Sequence, residues 1–302
     1  MWGMKIFITG GEGFIGSHVV TKLLTRKHKL LLLSRNPSLG RKKKFRGAVF
    51  VKGDLKNIKA WAKKLRQFKP DVVMHLAWEG LESYDFSAKT SSRNLMNSLN
   101  LISLAASLGC KKFLSTGSSW EYGRLRGKFR ESDPLEFGGH VPNFIIAKRA
   151  IRSFGEQIAR ESGMQFLWAR LFFVYGPGQK SRALIPSLVQ SFQNGKTPEV
   201  KNKLGANDFV YVEDVAEAIV KILEKSKKSS VVYNIGSGHL TSVARIANLV
   251  AKNFGKKPIV KELKKPNGFW ADISKVGREL GWRPKTRIER GVQKTIKALT
   301  NR

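Results

Sequence analysis

The sequence of 302 residues predicts an α/β fold in which a doubly wound parallel sheet is followed by a smaller C-terminal lobe. Apolar runs of strand length alternate with segments of helical periodicity from the N-terminus to Gly176. The connections are short, and the first apolar run ends in a glycine-rich turn that opens a helix. Strands that alternate with helices in this way are typical of a parallel sheet with helices on both faces.

The individual elements follow from the apolar patterns in chain order. The runs predicted to be strands are residues 4–10, 29–35, 48–54, 70–78, 110–119, 164–176 and 230–238. The segments predicted to be helices are residues 17–28, 57–68, 91–109 and 143–163, while residues 208–226 are predicted to hold a short strand and then a helix. After residue 176, proline and glycine interrupt the pattern. We therefore expect one domain over 1–176, to which 208–238 return, and a lobe formed by 177–207 and 239–302.

The composition is strongly basic, with 56 Lys and Arg residues against 22 Asp and Glu residues and a formal net charge of +34. A field of this sign attracts polyanions. The basic tracts, at residues 40–46, 63–69, 225–228 and 255–265, lie far apart in the sequence. Such tracts are typical of solvated faces, and no zinc-finger, helix-turn-helix or RNA-recognition pattern accompanies them. We expect weak, salt-sensitive binding to nucleic acid but no specific nucleic-acid partner.

Other classes of protein are disfavoured by the patterns that the sequence lacks. No apolar run approaches about 20 residues, the length that crosses a bilayer, and the N-terminal residues do not form a signal-peptide pattern. Cys110 is the single cysteine, so an internal disulfide is excluded and a packed apolar role is expected. The five histidines are scattered, so no metal site is expected. The cytoplasm is the expected compartment.

The segment ITGGEGFIGSHVV, residues 8–20, has the glycine spacing of a dinucleotide-binding loop. It matches Gly-x-Gly-x-x-Gly from Gly11, and it also matches Gly-x-x-Gly-x-x-Gly from Gly10. The loop follows a predicted strand and opens a predicted helix, which is the context of a Rossmann fold. The helix N-terminus would then bind a pyrophosphate. The residues expected to contact the cofactor here are Gly10, Gly13, Phe14, Ile15 and Gly16.

The end of the second predicted strand bears on which dinucleotide is bound. An NAD site commonly has a carboxylate there, whereas this chain has Ser34 and Arg35. Arginine suits the 2′-phosphate of NADP, so NADP is favoured over NAD; adenine stacking and simple solvation are the alternatives for Arg35. Asp54, followed by Leu55, ends the third strand and is expected either to accept from the adenine amine or to cap a helix.

With these motifs the chain resembles the extended short-chain dehydrogenase/reductases, the NAD(P)-dependent sugar-nucleotide epimerase/dehydratase family. The resemblance also rests on MHLAW (74–78), STGSSWEYG (115–123), RLFFVYGPGQ (170–179) and ELGWRP (279–284). It implies that the first domain holds the dinucleotide and the lobe holds a nucleoside-diphosphate sugar. It further implies that Leu76 and Ala77 lie against the cofactor and that Asn94 supports the active site.

The resemblance implies hydride transfer at a sugar carbon, usually C4, with a tyrosine as the acid–base group. Lys148 matches the lysine that follows that tyrosine by four residues, lowers the pKa of its phenol and bonds the nicotinamide ribose of the cofactor. Ser118 matches the hydroxyl that bonds the sugar oxygen. The tyrosine position itself is Phe144, which carries no transferable proton. Phe144 is either an engineered replacement or a natural feature of a protein that binds without turnover or uses another acid. Lys148 is otherwise read as a solvated helix lysine.

The residues after Ser118 distinguish between reactions within the resemblance. Ser119 and Trp120 stand where dehydratases carry an acidic pair, and no cysteine stands where epimerase-reductases carry one. Reduction of a 4-keto-6-deoxyhexose nucleotide is therefore favoured, with 4-epimerisation as the alternative. Arg182 is expected to meet the substrate pyrophosphate, and Trp120 either borders the sugar pocket or packs in the core.

Two further expectations concern assembly and an alternative of another class. The resemblance implies a homodimer through the predicted helices 91–109 and 143–163. Phe144 and the net charge of +34 together leave open a non-catalytic dinucleotide-binding protein with a polyanion such as RNA as its partner.

Overall fold

A computed structural model describes residues 3–37, 45–81 and 83–301 of the chain. Its strands are β1 Lys5–Thr9, β2 Lys29–Ser34, β3 Val49–Lys52, β4 Val72–His75, β5 Lys112–Ser118, β6 Gly127–Phe129, β7 Gln165–Leu171, β8 Phe173–Tyr175, β9 Gly205–Asn207, β10 Phe209–Tyr211, β11 Ser230–Ile235, β12 Thr241–Ser242 and β13 Asn267–Ala271. Its helices are α1 Phe14–Thr25, α2 Lys59–Phe68, α3 Ala88–Ser107, α4 Pro142–Ser162, α5 Leu184–Gln193, α6 Val212–Lys225, α7 Val243–Asn253, α8 Ser274–Leu280 and α9 Ile288–Thr300.

A seven-stranded sheet in the order β11-β7-β5-β4-β1-β2-β3 forms the centre of the fold and confirms the predicted doubly wound α/β class. The pairs that β1 makes with β2 and β4 are parallel, as are β2–β3 and β4–β5. The order of strands reverses at β1. In such a sheet, ligands bind beyond the carboxyl ends of the strands at this reversal, which here is where the glycine loop lies.

The chain divides into two compact units. The first holds the described residues of Met1–Gly123, Leu135–Arg170 and Ala216–Tyr233, and the second holds Arg124–Pro134, Leu171–Val215 and Asn234–Arg302 up to residue 301. Residues 124–134 and 171–176 belong to the second unit, although they were expected in the first domain. Of the segment 208–238 that was expected to return to the first domain, only Ala216–Tyr233 does so. The assignment of cofactor and substrate to separate parts of the chain stays a prediction.

The first unit is held by an apolar core between the sheet and its helices. One face of the sheet packs against α2, α3 and α4, and Phe113 of β5 stacks on Phe166 of β7 with ring centroids 5.9 Å apart. Burying an aromatic side chain of this size contributes about 1.5–3 kcal/mol. Elsewhere in the unit, Arg26 of α1 pairs with Glu217 and Glu224 of α6 at 2.7 and 2.6 Å.

The second unit contains a four-stranded sheet, β12-β9-β13-β6, and the strand pair β8–β10. The helices α5, α7 and α9 share an apolar core with that pair. The buried Asp208 carboxylate accepts hydrogen bonds from the backbone N–H groups of Ser237, Gly238 and Ala271. These anchors link the end of β11, β13 and the start of β10.

Several element bounds depart from the sequence prediction for identifiable reasons. The strand predicted over 164–176 is two strands, because the Phe172 and Phe173 N–H groups bond to different acceptors, Ile235 O and Asp208 O. The strands of the four-stranded sheet have two to five residues, too short for a periodicity to be read from the sequence. No helix within the described ranges is long and apolar enough to cross a membrane.

Candidate active site

The glycine loop turns tightly between β1 and α1. Gly10 has a φ of +72°. Gly13, the N-cap residue of α1, donates a backbone hydrogen bond to Gly10 O at 3.1 Å. A Cβ on Gly10 would overlap the backbone of Leu76 and Ala77, so only glycine allows this approach. The loop and the segment after β4, both expected to contact the cofactor, are therefore brought together.

Helix α1 begins at Phe14, three residues before the predicted start at residue 17, so Phe14, Ile15 and Gly16 form its first turn. A Cβ on Gly16 would overlap Gly10 O, which explains the third glycine. The first turn carries no acidic residue, and its N–H groups face the loop end of the helix. A free helix N-terminus beside a glycine cradle fits a pyrophosphate.

The end of β2 supplies a second feature that fits a dinucleotide. Ser34 is buried, and its Oγ has no hydrogen-bond partner among the described residues. Buried hydroxyl groups are rarely left unpaired in a protein, so a ligand atom is a suitable partner. Arg35 follows it and is exposed. The two residues thus present a hydroxyl and a guanidinium at the carboxyl edge of the sheet.

Asp54 caps a helical turn, which is the second of the two roles expected for it. Its carboxylate accepts a hydrogen bond from Lys56 N at 2.8 Å and caps the short 3₁₀ turn Leu55–Asn57. Its carbonyl accepts from Trp61 Nε1 at 2.9 Å. These two hydrogen bonds fix the carboxyl end of β3 in place.

Lys148 of α4 is buried, so its reading as a solvated surface lysine is wrong. Its side chain is 6% exposed, and Nζ donates to Thr116 O at 2.8 Å. The Nζ atom also lies 4.0 Å from the centre of the Trp78 ring. Burial lowers the pKa of the Lys148 ammonium to about 7, although the Glu121 carboxylate opposes this shift.

Phe144 lies one helical turn before Lys148 within an aromatic cluster, which consists of Trp78, Phe86, Trp120 and Phe144. The centroid of the Phe144 ring is 5.0 Å from that of Trp78, 5.4 Å from Phe86 and 6.0 Å from Trp120, and all three contacts are edge-to-face. Trp120 is only partly buried, so it borders this cluster rather than filling the main core. The ring of Phe144 thus has a tight apolar setting at the position expected to hold a tyrosine.

Ser118 ends β5 and starts the 3₁₀ turn Ser119–Tyr122. Its Oγ accepts a hydrogen bond from Trp120 N at 3.2 Å, and its backbone N–H donates to Glu121 Oε1 at 2.7 Å. Together these bonds form a capping box. Because the Ser118 hydroxyl acts here as an acceptor, its own hydrogen stays available for a substrate oxygen. Ser119 is buried beside it.

A buried ion pair lies beneath this turn. Glu121 Oε2 lies 3.1 Å from Arg170 Nη2, and both side chains are fully buried. Glu121 Oε1 also accepts from Trp168 Nε1 at 3.2 Å, while Arg170 Nη1 donates to Tyr122 Oη at 2.9 Å. A Cβ on Gly117 would overlap both the indole and the carboxylate. The pair therefore depends on glycine at the end of β5.

The loop after β4 is held by Asn94 of α3. Asn94 Oδ1 accepts from Glu79 N at 2.8 Å, and Nδ2 donates to Glu79 O at 2.9 Å. His75 is also fixed, since its ring nitrogens lie 2.7 Å from Thr9 Oγ1 and 2.9 Å from Ser98 Oγ. Burial, with a smaller effect of the Lys148 charge, lowers the pKa of His75 to about 3, so its ring is neutral.

The structure also contains site residues that sequence reasoning missed. Glu121 stands three residues after Ser118, and this capping-box spacing was visible in the sequence. Trp78 follows the two residues expected to contact the cofactor. Phe86 gave no sequence signal, because it reaches the aromatic cluster from the loop before α3.

The remaining predicted residues lie in the second unit or outside a site. Arg182 is exposed in the turn before α5, and its contact with a substrate pyrophosphate stays a prediction. Cys110 is a buried free thiol, and burial raises its pKa to about 11. No group of three or more potential metal ligands occurs within the described part of the chain. Of the basic tract 40–46, residues 40–44 lie outside the described residues.

Two known enzymes are similar to this chain over nearly its whole length. GDP-L-fucose synthase of Sinorhizobium fredii is 26% identical over 318 residues, covering 99% of this chain and 96% of that enzyme. A trifunctional UDP-glucose 4,6-dehydratase, 3,5-epimerase and UDP-4-keto-L-rhamnose reductase of Arabidopsis thaliana is 27% identical over 320 residues, covering 98% of this chain. The chain spans about half of that second relative, 47% of its length.

A solved structure shares the fold over its whole length. The UDP-glucose 4-epimerase of Thermotoga maritima, crystallised with UDP-glucose, matches with a TM-score of 0.81 and 27% identity over 99% of both chains. The model of the NAD dependent epimerase/dehydratase family matches residues 6–236, a span that includes the glycine loop, Ser118 and Lys148. This chain therefore belongs to the NAD dependent epimerase/dehydratase family.

Proposed function

We propose that this protein is an NADPH-dependent reductase that acts at C4 of a nucleoside-diphosphate 4-keto-6-deoxyhexose. The observation that carries the proposal is the pairing of Lys148 with Thr116, two residues before Ser118 on the same strand. This pairing anchors a buried ammonium on the strand that carries the Ser118 hydroxyl, in a chain of the NAD dependent epimerase/dehydratase family.

The choice of reduction is supported by the side chains that follow Ser118. Dehydration needs a carboxylate that reaches the sugar, and Ser119 and Trp120 supply none. Glu121 is the nearest carboxylate in this turn, but it is fully buried and bonded to Arg170. Glu121 is therefore not available as an acid or a base toward a substrate. The name of the Arabidopsis relative includes a UDP-4-keto-L-rhamnose reductase activity, beside a dehydratase and an epimerase activity.

The choice of NADPH is supported by Arg35 and Ser34. A guanidinium next to a buried hydroxyl suits a phosphorylated ribose better than the carboxylate of a typical NAD site would. When bound, the reduced nicotinamide supplies a hydride. The Ser118 hydroxyl then donates a hydrogen bond to the C4 oxygen and orients it, and the aromatic cluster keeps water away from that side of the site.

The second candidate function is 4-epimerisation of a nucleoside-diphosphate sugar, which the likeness to the Thermotoga epimerase favours. The two reactions differ in their use of the cofactor, because a reductase consumes NADPH and an epimerase returns its cofactor unchanged. We would incubate the protein and its Phe144→Tyr form with NADPH and UDP-4-keto-6-deoxy-D-glucose and, separately, with oxidised cofactor and UDP-glucose. Consumption of NADPH with substrate supports the reductase, and interconversion of UDP-glucose with its C4 epimer without net NADPH loss supports the alternative.

A non-catalytic dinucleotide-binding protein with RNA as its partner would give a third pattern of results. It binds NADPH, turns over neither substrate in either form, and binds RNA with a sequence preference that survives added salt. The Phe144→Tyr form is informative whether phenylalanine is natural or engineered at this position. Adding one hydroxyl at the expected acid position raises the rate of an enzyme but leaves a pure binder inactive.

The homodimer is proposed from the surface of α3 and α4, which pack side by side in the first unit. Three large apolar side chains on these helices are about half exposed, namely Met96 at 56%, Ile146 at 55% and Phe154 at 58%. Exposed apolar side chains grouped on a helix pair are typical of a protein interface. A second copy of the chain is the proposed partner for this face.

A further inference from the structure

We infer that Lys148 is itself the proton donor of this site, giving its ammonium proton to the C4 oxygen of the sugar. The inference rests on the proposed reductase function and names the residue that replaces the missing tyrosine hydroxyl. Phe144 has no acidic hydrogen, yet reduction of a ketone leaves an oxyanion that must be protonated. A donor must therefore come from another group of the site.

The other titratable groups near the aromatic cluster are already bonded. His75 is neutral and has both ring nitrogens engaged by Thr9 and Ser98. Tyr122 is fully buried, and its hydroxyl accepts from Arg170. Glu121 is paired with Arg170 at 3.1 Å. The His75 ring, the Tyr122 hydroxyl and the Glu121 carboxylate are thus each engaged by other side chains.

Two more acidic side chains lie on the loop that leads into α3. Glu79, next to Trp78, is bonded to Arg93 through both carboxylate oxygens, at 2.8 and 3.0 Å. Asp85, next to Phe86, accepts from the Thr90 hydroxyl and from Ser87 N, which lower its pKa to about 2. Asp85 is therefore ionised at neutral pH and cannot donate a proton, and the Glu79 carboxylate is engaged by Arg93.

Lys148 differs from these groups in having donors to spare. An ammonium carries three N–H bonds, and Thr116 O accepts one of them. Nζ lies 5.8 Å from the centre of the Phe144 ring, so it sits beside the position where a tyrosine would act. Thr116 and Ser118 both belong to β5, two residues apart, so the strand that accepts the Lys148 hydrogen bond also carries the orienting hydroxyl.

Two titratable groups interact electrostatically with Lys148: His75 at the end of β4 and Glu121 in the turn after β5. His75 is neutral, and the Glu121 carboxylate, itself paired with Arg170, opposes the effect of burial without outweighing it, so the pKa of Lys148 falls to about 7. A group with that pKa exists in both forms near neutral pH, which is the condition for efficient proton transfer. The Trp78 face, 4.0 Å from Nζ, supports the ammonium form.

The reaction balances with groups already named. The C4 carbonyl carbon accepts a hydride from NADPH, and the carbonyl π electrons move to oxygen. That oxygen forms an O–H bond as one N–H bond of Lys148 breaks, so the products are an alcohol, NADP⁺ and a neutral amine. The amine regains a proton from solvent before the next turnover. No other oxidant or reductant is required.

The test is a pH profile of NADPH oxidation with UDP-4-keto-6-deoxy-D-glucose for this chain and for Lys148→Arg. We expect the rate of the unaltered chain to fall as the pH rises above about 7, because the ammonium form is the donor. Arginine keeps the charge but does not release its proton at these pH values. Lys148→Arg should lose about 10²–10⁴-fold in rate, and NADPH fluorescence should show that the cofactor still binds.

Rescue separates this inference from the function on which it rests. Adding Phe144→Tyr to Lys148→Arg should restore turnover, since the new hydroxyl supplies a proton. If Phe144→Tyr turns over and the unaltered chain does not, the reductase function stands and Lys148 is not the donor. A flat pH profile across neutrality also overturns the inference. If neither form turns over, the proposed function is wrong and the inference falls with it. Should Lys148→Arg fail to fold, the pH profile of the unaltered chain decides alone.

Discussion

Glu121 and Arg170 form an ion pair in which both side chains are fully buried, 49 residues apart in the sequence. The pair carries two structural tasks, because Glu121 also accepts the Ser118 N–H and Arg170 also donates to Tyr122. A buried pair of this kind adds little net stability over apolar residues, but breaking it leaves an unpaired charge inside the protein. Its evident role is to fix the turn that presents Ser118.

Replacing Glu121 by Gln should destabilise the protein by about 3–5 kcal/mol, because Arg170 is left charged and buried. The free energy of unfolding, measured by urea titration, tests this. The matched control is the double variant Glu121→Gln with Arg170→Met, which removes both charges and should recover most of the loss. A double variant as unstable as the single one would show that the charges are not the cause.

The lowered pKa of Lys148 predicts a pH dependence of stability. The unfolded chain keeps the ordinary lysine pKa of 10.5, while the folded pKa is about 7, so between these values the unfolded state binds more protons. The free energy of unfolding should therefore rise with pH, by up to roughly 1.4 kcal/mol per pH unit from this group.

The measurement is urea unfolding between about pH 7 and 9, a window below the titration of most other lysines and tyrosines. The control is Lys148→Met, which should lack this rise while keeping the slopes due to other groups. Equal slopes for the two proteins would mean that Lys148 titrates normally and is not desolvated in solution.

Arg35 is predicted to select NADPH over NADH. Replacing Arg35 by Ala should weaken NADPH binding by about 10-fold or more, since a charge-assisted hydrogen bond contributes about 1.5–3 kcal/mol. The affinity for NADH should change little. Arg66→Ala, an exposed arginine of α2, is the matched control and should leave both affinities unchanged. Equal losses for the two cofactors would remove Arg35 from the 2′-phosphate role.

The face of α3 and α4 predicts self-association. Phe154→Glu places a charge in the proposed interface and should convert a dimer to a monomer in light scattering coupled to size exclusion. Phe137→Glu is the control, because Phe137 is 93% exposed on a loop before α4 and is outside that face. A monomeric unaltered chain, or a dimer that survives Phe154→Glu, would contradict the proposed interface.

The glycine loop could be predicted because glycines at fixed intervals between a strand and a helix have a geometric cause that the sequence shows directly. The roles of Ser118 and Lys148 were implied by the family resemblance and stay predictions, although the spacing of Lys148 from Phe144 by one helical turn was visible in the sequence. The burial of Lys148 was not predictable, because it depends on Trp78 from the segment after β4 and on Thr116 from β5.

The parts of the site that escaped prediction depend on contacts between distant segments. Arg170 is predicted from the sequence only as a strand residue, and the position of β7 next to β5 in the sheet brings it to Glu121. Phe86 lies in a loop without periodicity and acquires its role by meeting Phe144 and Trp120. Side-chain clusters assembled from loops and neighbouring strands leave no periodic pattern in a single sequence.

Reduction at C4 of a nucleotide sugar can be measured by following the hydrogen that passes from NADPH to the sugar. UDP-4-keto-6-deoxy-D-glucose would be incubated with the protein, or with its Phe144→Tyr form, and NADPH carrying deuterium at the transferable position. We expect NADPH to be consumed and one deuterium to appear at C4 of the sugar, detected by NMR. Binding of NADPH with no deuterium transfer by either form would contradict it.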